Sequence, residues 1–586
     1  MVFLSGNPTA ARPFARFLRV GTVPSWADPI AFLLLAAAAI LVVRGAEDMS
    51  QSLAVLHTTP VTLDPARLPQ YALRTTLRMF LALGASLVFT FTVATLAAKS
   101  RKAELLIVPA LDILQSVPVL GFLTFTVTFF MGLFPGRQLG VECAAIFAIF
   151  TSQAWNMAFS FYQSLRSIPS DLDEVSRQFA FSPWRRFVRL ELPFATPGLV
   201  WNVMMSMSGG WFFVVASEAI TVGNTTVTLP GIGSWLSLAI ARQDMRSVAI
   251  GVGAMAVVIV LYDQLVFRPI VAWADKFRFE QTASGERPGS WLYDLVRRTR
   301  WLRVLAAPLT WPATAMAAID WPTIPRARFA RFALPAGTGR VLDGLWIALV
   351  AGLGLVGAWV LWSFLSARLA FADLLTAFGL GLATLVRVVV LIALATAVWV
   401  PIGMWIGLRP AWAERLQPIA QFLAAFPANV MFPFAVAAIV AWRLDPNVWL
   451  SPLMVLGTQW YILFNVIAGA SAIPSDLKEA AGIFGMRGWQ WWRQVGIPGI
   501  FPYYVTGALT ASGGSWNASV VAEAVTWGDK HLEAAGLGAF IAKATAAGDY
   551  ARVALGVAVM SIFVIAFNRA LWRPMYRFAE RRLRLA

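Results

Sequence analysis

Long apolar runs broken by short polar stretches make up most of the 586-residue chain. The runs lie at about 26–43, 72–98, 105–133, 143–162, 198–220 and 247–270, and again at about 342–367, 376–407, 417–441, 450–470, 503–525 and 550–572. Each is long enough to cross ~30 Å of hydrocarbon as a helix, and a helix satisfies its own backbone hydrogen bonds where no water can. The pattern predicts an all-α polytopic membrane protein of about 12 transmembrane helices in two parallel repeats of about six. Residues 1–270 form the first repeat and 341–586 the second. Between them, 271–340 is rich in Arg and Pro, and its most apolar part, Val304 to Ile319, is short and interrupted by Pro308 and Pro312. It is expected to be a basic cytoplasmic or interfacial linker.

Two of the polar stretches are copies of one another. Ile168 to Pro193 reads IPSDLDEVSRQFAFSPWRRFVRLELP, and Ile473 to Pro498, 305 positions on, reads IPSDLKEAAGIFGMRGWQWWRQVGIP. Pro169-Ser170 and Pro474-Ser475 predict a stop followed by a serine N-cap. Asp171 and Asp476 then sit where a helix dipole favours negative charge. Gly485 and Gly488 bracket a turn in the second copy. The first has Ala180 there, with Ser182-Pro183 placing Pro at the first helical position. A second short helix is expected to end before Pro193 and Pro498, giving a helix-turn-helix that projects from the membrane. The same offset pairs Trp211 with Trp516, Glu218 with Glu523, Gly231 and Gly233 with Gly536 and Gly538, and Asp244 with Asp549. Upstream the offset is 309, pairing Arg78 with Arg387, so copy one carries four extra residues near Phe134 to Gly140.

Copy two resembles the EAA loop of bacterial ABC importer permeases at Glu479, Ala480, Ala481, Gly485, Val495, Ile497 and Pro498. Copy one keeps Glu174, Leu190, Leu192 and Pro193, but has Val175-Ser176 for the alanines and Ala180 for the glycine. The match is closest to the nitrate, sulfonate, taurine and bicarbonate group, as a duplicated, fused permease. The resemblance implies a type I importer fold and a small anion as cargo. It also implies that the loops, with Trp184 and Trp489, are the elements that meet two ATP-binding cassette subunits, with Glu174 and Glu479 helping to lock each loop. A simple capping or solvated role for these acids stays open. A periplasmic or lipid-anchored binding protein is the further partner implied, and ATP and Mg2+ would be held by the ATPase subunits, with no cofactor on this chain.

Composition agrees with the membrane reading: 59% of residues are hydrophobic and 13% charged, too apolar for a soluble protein of this size. The net charge of +17, mostly arginine, lies largely in alternating loops, which orients the chain in the bilayer rather than indicating nucleic acid. This is expected to place both termini in the cytoplasm, and the resemblance implies that the membrane is a bacterial inner membrane. The absence of a Gly-x-x-x-x-Gly-Lys-Ser/Thr sequence means the chain is not expected to hydrolyse ATP itself. One cysteine, Cys143, and two histidines, His57 and His531, leave little for a metal site or a nucleophile–base pair. The chain therefore reads as a transport protein, not an enzyme. Tryptophans near span ends read as interfacial anchors.

Candidate pathway residues are the charged and polar positions within spans. Arg78 and Arg387 are costly in hydrocarbon unless they face a cavity or a partner. They either attract an anion or form helix–helix ion pairs. Glu218 and Glu523 suit a gate or an ion pair, with those arginines among the candidates. Gln115 and Ser116 precede Pro118 at a kink, the counterpart of Ala424-Ala425-Phe426-Pro427, and either line a cavity or pack. Asn517, with Asn202, Ser206, Ser208, Gly209, Gly210, Gly513, Gly514 and Ser515, gives small or polar faces to equivalent helices. Asp244 and Asp549 read as outward loop acids, available to a binding protein or simply solvated. The rival reading is an ion-gradient-driven secondary transporter with a 6+6 repeat, which gives no reason for two matched helix-turn-helix loops.

Overall fold

The computed structural model describes residues 27–49, 60–115, 123–222, 225–277, 289–299 and 338–582. Helices α1 (Ala27–Met49), α2 (Leu68–Phe89), α3 (Arg101–Leu114), α4 (Leu123–Leu133), α5 (Gln138–Arg166), α6 (Ser170–Gln178), α7 (Pro183–Arg186) and α8 (Leu192–Glu218) lead to a hairpin of β1 (Ala219–Val222) and β2 (Thr225–Thr228). Then come α9 (Ile232–Ala241), α10 (Met245–Tyr262) and, in the linker, α11 (Trp291–Arg298). The second repeat has α12 (Thr338–Ser366), α13 (Phe371–Gly407), α14 (Pro410–Ala425), α15 (Phe432–Ala441), α16 (Ser451–Leu456), α17 (Gln459–Ser471), α18 (Ser475–Ile483), α19 (Gly488–Trp491) and α20 (Ile497–Ala522). It closes with β3 (Ala524–Trp527), β4 (Lys530–Glu533), α21 (Leu537–Ala547), α22 (Tyr550–Phe567) and α23 (Arg573–Arg582).

Among the described residues, helix makes up most of each of the twelve apolar runs. Among the described residues, 7 helices are long and apolar enough to cross a membrane, or 8 when the pair Pro446–Leu456 and Gln459–Ser471, bent by 43°, counts as one. The protein is a mostly helical, polytopic membrane protein. Val304 to Ile319 and Ser116 to Pro118 lie outside the described residues.

Four π-helical turns end two residues before a proline: Phe187–Glu191 before Pro193, Asp263–Phe267 before Pro269, Trp492–Gly496 before Pro498, and Asn568–Trp572 before Pro574. A proline inside an α-helix lacks an N–H and clashes with the carbonyl four residues back, and the wider π turn moves that carbonyl aside. The expected helix ends before Pro193 and Pro498 are therefore absent. The helix from Pro183 runs unbroken to Glu218, and α19 continues through its π turn into α20.

The chain divides into two compact units that are not the two repeats. One is drawn from Met1–Glu47, Gln163–Trp201 and Leu261–Pro335, the other from Asp48–Tyr162, Asn202–Val260 and Ala336–Ala586. In the larger unit α20 is central, packed by α13, α16, α17 and α21. Small residues permit this: a Cβ at Gly507 would stand 2.6 Å from the Tyr461 carbonyl oxygen, and one at Gly407 2.6 Å from that of Ile467. Trp211, Trp235 and Trp516 are fully buried core residues rather than interfacial anchors.

The hairpins, absent from the sequence reading, are reciprocal. In the larger unit β1 packs on α21 of the other repeat and β3 on α9, with Gly528 N–H donating to the Ile240 carbonyl at 3.2 Å. Gly528 turns the second hairpin in the left-handed region, at φ 57°. The contact pattern is that of two repeats related by a two-fold axis.

Candidate functional site

Each EAA loop is a short helix, a tight turn and the start of a long helix. Pro169 and Pro474, not the serines, occupy the N-cap positions, with ψ of 142° and 143° and no side-chain cap. The extended proline supplies its carbonyl, which accepts from Asp173 N–H at 3.3 Å, and from Lys478 N–H at 3.3 Å in copy two. Ser170 is thereby moved to the first helical position, where its hydroxyl donates to Asp171 at 3.3 Å.

Both turns have the same hydrogen bonding. Phe181 N–H bonds the Ser176 carbonyl at 3.1 Å, and Met486 N–H the Ala481 carbonyl at 2.9 Å. Ala180 N–H bonds Arg177 and Gly485 N–H bonds Gly482. This is a Schellman termination, which needs a left-handed residue. Gly485 supplies it at φ 65° and Ala180 at φ 49°. Copy one thus keeps the turn at the cost of a side chain in the left-handed region, about 1–2 kcal/mol. Ser182 caps α7 by accepting from Arg185 N–H at 3.3 Å, with Pro183 following it.

In copy one the brace is Asp173, which sequence reasoning passed over. It accepts from Arg177 at 2.7 Å and forms an ion pair with Arg186 at 2.6 Å, and Arg186 also pairs with Glu191 at 3.0 Å. Glu174 and Glu479 are exposed, and no hydrogen bond or ion pair joins either to another described residue. Trp184 is half-buried on Phe187, with ring centroids 5.9 Å apart. Its counterpart Trp489 is 73% exposed, beside Ile483 at 85% and Phe484 at 75%. Ala481 is buried, Ala480 is half-buried, and Pro193 and Pro498 sit half-buried at the base of the long helices.

In the larger unit the charged span residues converge on two related clusters. Arg78 of α2 is fully buried. It bonds Glu142 of α5 through Nε at 2.5 Å and Nη2 at 2.8 Å, Glu218 through Nη1 at 2.7 Å, and the Pro230 carbonyl at 3.1 Å. Glu218 also accepts from Thr75 at 2.6 Å and from Gly233 N–H at 2.7 Å, while Ile232 N–H donates to Thr75 Oγ1 at 3.0 Å. The carboxylate therefore caps α9, whose positive end helps offset a cluster with two acids and one base.

The second cluster repeats the plan with one member fewer. Arg387 Nη1 bonds Glu523 at 3.0 Å, Thr384 bonds the same oxygen at 2.9 Å, and Leu537 N–H donates to Thr384 at 2.9 Å. Gly538 N–H donates to Glu523 Oε2 at 2.7 Å. The Gly-x-Gly pairs are the cradles: a Cβ at Gly231 or Gly536 would stand 2.2 Å from the carboxylate oxygen. Glu142 has Asn447 as its counterpart, an exposed residue whose amide oxygen accepts from Ala535 N–H at 2.9 Å. Thr75, Glu142 and Thr384 are further members not singled out in the sequence.

The remaining candidates separate. Gln115 is exposed at the end of α3, Ser116 lies outside the described residues, and Asn517 donates to the Gly513 carbonyl at 3.3 Å. Asp244 and Asp549 cap α10 and α22, accepting from Ser247 N–H at 3.2 Å and Arg552 N–H at 3.1 Å. The Ser247 hydroxyl, 2.5 Å from Asp244, then its N–H and that of Arg246, hold the Asp244 carboxyl below its ordinary range. Among the described residues no three His, Cys, Asp or Glu side chains gather as a metal site.

Three characterised proteins are similar to parts of the chain. The nitrate import permease NrtB of Leptolyngbya laminosa is 28% identical over 186 residues, 32% of this chain and 63% of that protein. The bicarbonate transport system permease CmpB of Synechococcus elongatus is 29% identical over 147 residues, 25% of this chain and 51% of that protein. The glycine betaine/proline betaine permease ProW of Escherichia coli is 28% identical over 168 residues, 29% of this chain and 43% of that protein. The chain thus spans less than two thirds of each relative's length. The family model for a binding-protein-dependent transport system inner membrane component matches twice, at residues 87–268 and 399–584, together well over half of the chain. With a loop of the same design in each matched segment, the chain belongs to the family of binding-protein-dependent transport system inner membrane components, as a duplicated permease in one polypeptide.

Proposed function

We propose that this chain supplies both membrane halves of an ATP-driven importer for a small anion of the nitrate or bicarbonate kind. Each EAA loop receives one cytoplasmic ATPase subunit, on which ATP and Mg2+ are bound. A binding protein delivers the anion from outside, and both termini lie in the cytoplasm. ATP binding draws the loops together and opens the pathway outward, and hydrolysis resets it. The observation that carries this reading is the pair of loops, alike in Schellman turn and π-bulged long helix. Copy two adds exposed Ile483, Phe484 and Trp489, an apolar tip suited to burial in a partner groove. The relatives that transport nitrate and bicarbonate support the class of cargo.

The test is purification of the tagged chain from its host in mild detergent, with mass spectrometry and an ATPase assay. Two nucleotide-binding subunits per chain, lost when both loops are disrupted, are expected. A chain that stays alone and drives uptake from an ion gradient would overturn the reading. Substrate-stimulated ATPase activity should fall further in Glu479→Lys than in Glu174→Lys, because only copy two carries the full motif.

A further inference from the structure

The two repeats close the same turn with different residues where they meet. In copy two α21 ends in a Schellman turn: Gly548 N–H donates to the Thr545 carbonyl and Asp549 N–H to that of Ala544, with Gly548 in the left-handed region at φ 68°. In copy one α9 ends in the same way, Gln243 N–H donating to Ile240 and Asp244 N–H to Ala239. There the left-handed residue is Gln243, at φ 54°, 305 positions before Gly548. A glycine adopts this conformation freely and a side chain is strained in it. The turn by itself gives no reason for a glutamine.

The side chain instead meets the other repeat, within the larger unit. Gln243 Nε2 donates to the Trp527 carbonyl at 3.4 Å. A Cβ at Gly528 would stand 2.0 Å from Nε2 and 2.7 Å from Cγ of Gln243, so the glutamine packs where only a glycine leaves room. Gly528 N–H in turn donates to the Ile240 carbonyl at 3.2 Å, the one that Gln243 N–H also uses. The second hairpin, turned by Gly528, follows α20, and α9 follows α8 and the first hairpin. In each repeat the EAA loop precedes the long helix, so these contacts belong to the end remote from the loops. At the mirror position copy two has Gly548, with no side chain to offer.

We propose that Gln243 is the bolt of a one-sided latch, which holds the outer ends of the two repeats together and must release before the pathway opens outward. This rests on the reading of the chain as an alternating-access importer. A strained residue persists where its surroundings hold it, so the strain is offset while the contact with Trp527 and Gly528 is made. Release removes that offset. The 3.4 Å bond is long, which suits a contact made and broken in every cycle. Loss of one hydrogen bond shifts a two-state equilibrium about two- to tenfold.

Gln243→Gly separates this role from a structural one. It gives copy one the residue of copy two, relieves the strain and, because Gln243 is exposed, leaves no cavity in the core. The full chain, purified into nanodiscs with the subunits that accompany it, carries Cys143→Ser and spin labels on the exposed sites Arg246→Cys and Lys530→Cys. Pulsed electron double resonance without nucleotide should show the longer-distance population raised about two- to tenfold by Gln243→Gly, with a thermal midpoint no lower than the parent's. Unchanged distances overturn the proposal, and a lowered midpoint with unchanged distances marks Gln243 as structural. The converse variant, Gln243→Cys with Gly528→Cys, places two thiols within disulfide reach. Oxidation should abolish uptake of labelled nitrate or bicarbonate and dithiothreitol restore it; uptake that continues through the formed disulfide also overturns the latch. ATP-driven uptake with unchanged distances removes the latch and keeps the importer. Shifted distances in a chain that binds no ATPase and takes up solute from an ion gradient remove the importer and keep the latch as an outer gate.

Discussion

Arg78 and Arg387 occupy the same place on equivalent helices, face the same glycine cradle, and meet different numbers of acids. Arg78 is wholly enclosed by Glu142 and Glu218, whereas the Arg387 side chain is 14% exposed and pairs with Glu523 alone. The difference originates in the neighbouring helix. In the first repeat α5 is continuous from Gln138 to Arg166 and carries Glu142 into the core. In the second the equivalent segment bends by 43° between Pro446–Leu456 and Gln459–Ser471, leaving Asn447 exposed. A duplicated sequence has therefore kept the carboxylate that caps a helix and lost the one that depends on an unbroken neighbour. Four helices meet in the first cluster and three in the second, so the second is expected to hold its α20–α21 junction less tightly.

The largest effect should come from removing the cations. Arg78→Met leaves two buried carboxylates without a counter-charge and should cost about 3–5 kcal/mol, against about 1–3 kcal/mol for Arg387→Met, where one buried acid is left that still accepts from Thr384 and Gly538 N–H. Thermal unfolding of the detergent-purified chain, followed by tryptophan fluorescence, measures both, and equal losses would erase the contrast. Next in size are the cradles. Gly231→Ala and Gly536→Ala should each cost about 1–3 kcal/mol by overpacking, and here the repeats should agree, because the 2.2 Å clash is the same.

The EAA loops differ by a smaller amount and in the opposite sense. Ala180→Gly should stabilise loop one by about 1 kcal/mol, while Gly485→Ala should destabilise loop two by a similar amount, as read by hydrogen exchange of each turn. The smallest effect concerns Asp244. Its carboxyl ionises more readily when folded, so its contribution is present above the ordinary aspartate range and disappears as pH falls through the lowered value. Asp244→Asn should thus lower the unfolding midpoint near neutrality and approach the unsubstituted protein in strong acid. A difference unchanged between the two would exclude ionisation as its source.

The repeat, the helical membrane class and both helix-turn-helix loops could be read from residue spacing alone, since apolar runs and fixed offsets are local records. The two hairpins were also recorded, in Gly223-Asn224 and Gly528-Asp529 flanked by β-branched or aromatic residues, but the surrounding apolar pattern masked them. Serine N-caps were the wrong inference from Pro-Ser, because an extended proline presents its own carbonyl to the first turn. Helix ends at Pro193 and Pro498 were wrong because a π turn relieves the proline clash.

Which charges would meet was settled only by the packing of segments far apart in the chain. Arg78 and Glu218 were visible as costly span residues, but Glu142 lies 64 positions from its arginine and belongs to the cluster because α5 stays straight. Local spacing determined the membrane helices and loops through backbone hydrogen bonding and hydrophobic burial, which act within a segment. The tertiary structure decided the clusters, because the cost of a buried charge depends on what every neighbouring helix brings to it.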